Sequence, residues 1–143
     1  MKTIVGRLVV FVLGIMMIAV LVARAQIVTE LDFKIAQAFT AGNTTLPAGG
    51  YMIRPVPGTD QSVIEITAAS GKPSVMVDVE LIQPDAAKGG SRLAFNTYSK
   101  VLALSQILPG GGNSGYQLSP RHPEKLAAKT EKPTKQTVAG TSK

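Results

Sequence analysis

The sequence predicts an all-β chain, a small antiparallel β-sandwich or partly open barrel of six or seven strands. An N-terminal leader precedes it and a basic C-terminal tail follows. Three observations carry this reading. Apolar and polar residues alternate in several short runs, the period of a half-buried strand. Clusters of Gly, Pro, Asn and Ser separate the runs. No helical period lies between them, so the strands are not joined by crossover helices.

Ile27–Ile35 opens the β-domain. Ile27, Leu31, Phe33 and Ile35 share one face with Thr29, while Glu30, Asp32 and Lys34 share the other. Phe39 extends the pattern until Ala41-Gly42-Asn43 breaks it. Pro47 and Gly49-Gly50 then form a turn that launches Tyr51-Met52-Ile53-Arg54. Pro55 and Pro57-Gly58 end this strand early and mark it as an edge. Ser62–Thr67 is the next strand, and Ser70-Gly71-Lys72 is a hairpin signal. In Ser74–Ile82 the residues Val75, Val77, Val79 and Leu81 fall on one face. Arg92–Tyr98 and Val101–Leu108 read as a hairpin about Ser99-Lys100. Pro109–Gly115 is a loop, and Tyr116–Leu118 adds a short last strand. Pro123–Lys132 favours a short helix, with proline suited to its first turn. From Pro133 onward the composition reads as disordered.

The two ends organise the chain. Lys2 and Arg7, an apolar run from Leu8 to Val22, and Ala23-Arg24-Ala25 make the pattern of a secretory signal peptide with cleavage after Ala25. The alternative, an uncleaved membrane anchor, is disfavoured because the run falls short of the ~20 apolar residues that span a bilayer. The expected divisions are a signal peptide over 1–25, a β-domain over 26–118 and a basic tail over 119–143. The expected location is the periplasm or the outside of the cell. No cysteine is present, which excludes both a lipid-bearing cysteine and a disulfide framework.

The net charge of +6 is unevenly placed. Residues 26–118 hold six basic and seven acidic side chains, whereas residues 119–143 hold six basic and two acidic. A basic domain face is therefore missing and nucleic-acid binding is not expected. Lys125, Lys129, Lys132 and Lys135 offer a weak contact for an anionic surface; a solvated tail is the plainer reading.

Residues that carry chemistry are sparse. His122 is the only histidine, too few for a zinc site and poorly placed for a catalytic triad. Asp78 and Glu80 point the same way from one strand, with Glu65 close across the hairpin. Such carboxylates serve hydrolysis or cation binding in other settings, but acids on the wet face of a strand are ordinary. The glycine run at 110–112 lacks the lysine and helix of a phosphate loop. Asn43-Thr44-Thr45 fits a glycosylation sequon but reads more simply as a turn. Tyr51, Tyr98 and Tyr116 are the candidate ligand-binding residues, together with the loop 110–115. No catalytic residue, metal ligand or cofactor site is expected.

Several segments together carry a resemblance. They are Phe33 and Phe39, Leu46-Pro47-Ala48-Gly49 with Tyr51, Arg92-Leu93-Ala94-Phe95, Leu104-Ser105-Gln106-Ile107, Leu118-Ser119 and Glu124-Lys125. The chain resembles a group of small exported β proteins of acidobacterial-type soil bacteria, with the pattern F-x-V-G…L-P-A-G-x-Y…L-S-x-I/V. The likeness covers most of Phe33 to Lys129. It implies a β fold and export, and it supplies no catalytic residue. Gly50 departs from the pattern, as does Leu108 where an aromatic residue is common.

Two functions follow as expectations. The first is a non-enzymatic structural or protein-interaction β-domain, self-associating through the Ile27–Ile35 strand by β-augmentation. The alternative is a small module that binds an apolar or glycan ligand at the loop end of the β-domain.

Overall fold

Leu31, Phe33 and Ile35 are almost wholly buried while Lys34 is exposed, so the first alternating run forms a strand with one face inward. The computed structural model describes residues 30–84 and 89–142. The expected leader and Ile27–Thr29 lie outside the described residues. Ten strands and one helix are described: β1 (Leu31–Ile35), β2 (Phe39–Ala41), β3 (Thr44–Leu46), β4 (Gly49–Pro55), β5 (Val63–Ala68), β6 (Ser74–Ile82), β7 (Arg92–Thr97), β8 (Leu102–Leu108), β9 (Gly115–Leu118), α1 (His122–Ala128) and β10 (Thr134–Ser142). Among the described residues no helix is long and apolar enough to cross a membrane.

Eight strands close into an antiparallel barrel in the order β8-β7-β10-β1-β4-β5-β6-β9, with β9 pairing back onto β8. The sandwich and the partly open barrel expected from the sequence are both replaced by this closed form. The physical reason lies in the two nine-residue strands. β6 pairs with β5 through Ser74–Asp78, then with β9 through Val79–Ile82. β10 pairs with β7 through Thr134–Ala139, then with β1 from Gly140 to Ser142. Each passes from one sheet to the other and makes a corner, as in orthogonally packed sheets.

A bulge keeps β8 in phase with the core. Ala94 pairs with Gln106 and Phe95 with Leu104, leaving Ser105 without a register partner. Its hydroxyl donates to the Ala94 carbonyl at 3.0 Å. One extra residue reverses the alternation. Leu102 and Leu104 before the bulge and Ile107 after it therefore all reach the core.

The β2–β3 hairpin lies outside the closed ring, with β2 beside β8 in parallel. Phe39, Ala41 and Leu46 are nevertheless buried in the main core. Phe39 stands edge-on to Tyr51, at 5.2 Å between ring centroids, and to Phe95, at 5.7 Å. Tyr51 lies near the start of β4, so the hairpin plugs the barrel end opposite to where β4 finishes.

Two expectations about strand position are corrected. β4 is not an edge strand: β1 and β5 flank it, and Pro55 is only its last residue. Thr134–Ser142 is not disordered but forms β10, so the barrel extends past residue 118. The short helix does form, as α1. Its Glu124 is buried and accepts from Asn96 Nδ2 at 2.7 Å and the Tyr98 hydroxyl at 3.3 Å. Further on, Glu131 accepts from the Ser99 backbone N–H at 2.9 Å and the Ser99 hydroxyl at 2.6 Å. These two glutamates clamp the segment onto the β7–β8 turn and deliver β10 to its slot.

Ser99 holds the Glu131 carboxyl below its usual range, chiefly through its hydroxyl and then its N–H. A depressed folded pKa contributes stability above the ordinary carboxylate value that is lost as pH falls through the depressed one. The thermal midpoint of Glu131→Gln therefore lies below that of the native chain at pH 7, and the two converge below about pH 4. A gap that persists unchanged into acid contradicts this assignment.

Candidate functional site: the barrel mouth

β4 ends, β5 begins, β8 ends and β9 begins at the barrel end remote from the β2–β3 plug. There the chain encloses a cavity of about 610 Å³. Its floor is made by Leu31, Ile53, Ile64 and Ile107, all core residues. Its walls are the loop after β4, with Pro55–Gly58, Asp60 and Gln61, and the loop after β8, with Pro109–Gly112 and Ser114. Leu81 and Tyr116 complete the lining.

Leu81 explains itself by position. Val77 and Val79, on the same face of β6, are buried, whereas Leu81 is 56% exposed. The alternation has not failed; the strand has simply run beyond the filled part of the core and into the open mouth. Its exposed aliphatic surface therefore adds to the lining of the hollow.

The wall loops are held by local bonds. Gly110 N–H donates to the buried Ser91 hydroxyl at 2.9 Å. A Cβ at Gly110 would come within 2.7 Å of the Ser91 backbone nitrogen, so this contact requires glycine. On the other wall, Thr59–Ser62 forms a tight turn closed by Ser62 N–H to the Thr59 carbonyl at 2.9 Å. Asp60 and Gln61 occupy its centre with φ of 49° and 61°, the geometry of a type I′ turn. Left-handed backbone at a glutamine costs on the order of 1 kcal/mol. One bond helps to hold it there: the Tyr116 hydroxyl donates to Gln61 Oε1 at 2.9 Å and ties the two walls together. Burial pushes the Tyr116 phenol above its ordinary pKa, so it remains a donor at neutral pH.

The candidate tyrosines do not form one surface. Tyr116 lines the mouth. Tyr51 is 2% exposed, and its hydroxyl donates to the Pro47 carbonyl at 2.7 Å. Tyr98 is 6% exposed and lies against Glu124. Neither of the latter two offers a ring face to a ligand. Gly110, Gly111, Gly112 and Ser114 of the 110–115 loop line the mouth beside Tyr116. Leu81, Asp60 and Gln61 were missed. The first reads as core by its alternation, and nothing in Thr59-Asp60-Gln61 signals left-handed backbone, which glycine or asparagine would have announced.

Two of the three carboxylates considered for chemistry have ordinary partners. Glu65 pairs with Arg54 at 2.8 Å, and Asp78 pairs with Arg121 at 3.1 Å. Among the described residues no group of three or more His, Cys, Asp or Glu is arranged to hold a metal ion. A second hollow of about 500 Å³ lies over the β1–β10 seam, bordered by Phe33, Gly50 and Gly140. Asp32, Lys34 and Thr141 are its polar lining residues. Comparison with protein-family models, curated proteins and solved structures finds no match to this chain.

Proposed function

We propose that this chain is a non-enzymatic binding module whose barrel mouth takes a small apolar ligand. The observation that carries the reading is a cavity with an aliphatic floor and mixed walls, with Leu81 half exposed at its rim. Its volume falls within the ~300–1,000 Å³ of small-molecule sites, and barrel mouths are a favoured location for them. An apolar floor with polar groups placed around it is a common composition of such sites. A glycan is a poorer fit, because Tyr116 is the only aromatic ring among the described lining residues and sugars stack on flat aromatic faces.

The assembly role expected from the sequence needs a free strand edge. Over Leu31–Phe33 both edges of β1 are filled, by β4 on one side and β10 on the other. That observation favours the binding module over self-association. Export through the N-terminal leader remains part of the proposal, because residues 1–25 carry the pattern of a secretory signal.

Titration with the neutral dye Nile red tests the reading. One dye should bind per chain with a saturable rise in fluorescence. Leu81→Ser should weaken that binding about tenfold, since roughly 1.5 kcal/mol is the lower end of what burying a leucine contributes. Its thermal midpoint should stay close to the native one, because Leu81 lies outside the core. A chain that leaves the dye's emission at the buffer level overturns the proposal.

A further inference from the structure

The mouth has a chemical polarity as well as a shape. Its floor is aliphatic, and its polar groups gather on the walls. Among the described residues that line it, Asp60 is the only charged one. Neither of the two ion pairs found among the described residues involves Asp60. Next to it, Gln61 spends its carbonyl oxygen on Tyr116 and keeps an amide NH₂ with two donor hydrogens. The turn therefore presents a carboxylate acceptor and an amide donor side by side, above an apolar floor.

We propose that the mouth selects an apolar molecule whose polar end is a hydroxyl or an ammonium group, and discriminates against carboxylate and phosphate ends. This rests on the mouth being a ligand site. A hydroxyl donates to the Asp60 carboxylate and accepts from the Gln61 amide, satisfying both. An ammonium group donates to Asp60 and gains the attraction of opposite charges. A carboxylate or phosphate meets the like charge of Asp60, and no cation among the described lining residues replaces its lost hydration. Asp60 is exposed at the rim, so solvent screens it and the discrimination is moderate. The left-handed turn adds a positioning role: it holds Asp60 and Gln61 over the cavity at a cost in backbone strain, a common trait of ligand-binding loops.

Titration calorimetry with three probes of equal chain length separates this from the reading beneath it. Decylamine, 1-decanol and decanoate are compared at pH 7 and low salt, the alcohol below its solubility limit and the two ions below their micelle concentrations. Decylamine and 1-decanol should bind, and decanoate should bind about fivefold more weakly than decylamine or worse. Asp60→Asn keeps a residue that tolerates left-handed backbone, and should shrink the amine-to-carboxylate ratio to within about twofold. Leu81→Ser should weaken all the probes that bind. Decanoate binding as well as decylamine, or a ratio unmoved by Asp60→Asn, overturns the head-group selection while leaving the mouth as a site. No binding by any probe, or binding indifferent to Leu81→Ser, overturns the mouth as the site and the selection with it.

Discussion

Phe39→Ala should lower the unfolding free energy by about 3–5 kcal/mol, the usual loss for a large buried aromatic. The residue is 1% exposed and meets Tyr51 and Phe95 edge-on. Truncation removes both ring contacts, each worth about 0.5–1.5 kcal/mol, and leaves a hole between the β2–β3 plug and the barrel. Neighbours cannot easily collapse into it, because Leu46, Tyr51 and Phe95 are already buried and packed. Domains of this size have about 5–15 kcal/mol in total, so the variant approaches the limit of folding. Urea denaturation measures the loss, and Phe39→Leu should recover a good part of it by refilling volume. A loss below about 1 kcal/mol would mean that the hairpin only rests on the barrel and does not plug it.

Gly140→Ala should have the next largest effect. Gly140 lies on β10 opposite Phe33, and its amide donates to the Ser91 carbonyl at 2.8 Å. A Cβ there would overlap the Phe33 ring and come within 2.7 Å of the Asp32 carbonyl oxygen. Phe33 is 3% exposed, and its ring lies directly in the path of the new Cβ. Either the ring or the strand must move, at a cost near the upper end of the ~1–3 kcal/mol typical of overpacking. Gly140→Val should detach the stave. Loss of β10 frees the edges of β1 and β7 together, and unpaired edges invite aggregation. Hydrogen exchange should show lost protection over Thr134–Ser142 while Ile64 and Ile66 in β5 stay protected. If alanine is tolerated within about 0.5 kcal/mol, β10 does not hold the close approach described.

β10 also shows why part of the fold was hidden in the sequence. A strand announces itself by alternating apolar residues, and Thr134–Ser142 has only Val138 to offer. Nearly all of its described side chains are exposed. The stave closes the barrel through backbone bonds and one close glycine contact, which composition does not reveal. β2 and β3 are three residues each, too short to show a period. Runs such as β5 and β6, by contrast, alternate over six and nine residues and were readable. Closure itself depends on where β6 and β10 change partners, a long-range property with no local signature.

The site was legible in a similarly uneven way. The glycine-rich loop and Tyr116 point to the mouth by residue type. Tyr51 and Tyr98 have the same chemistry but are taken up by the core and by Glu124. What distinguishes Leu81 from Val79 is only its height in the barrel, which becomes visible once the strands are registered. The left-handed Asp60–Gln61 pair arises from the tight turn between β4 and β5 and the Tyr116 bond across the mouth, both tertiary consequences.

The most direct test of the account is an amide chemical-shift map of the chain during titration with 1-decanol. The predicted result is a contiguous set of shifts at Leu31, Ile53, Gln61, Leu81, Gly111 and Tyr116, with Gly71 and Ser99 at other turns unmoved. Shifts centred on the seam between Phe33 and Gly140, or no saturable shifts at all, would contradict the barrel mouth as the binding site.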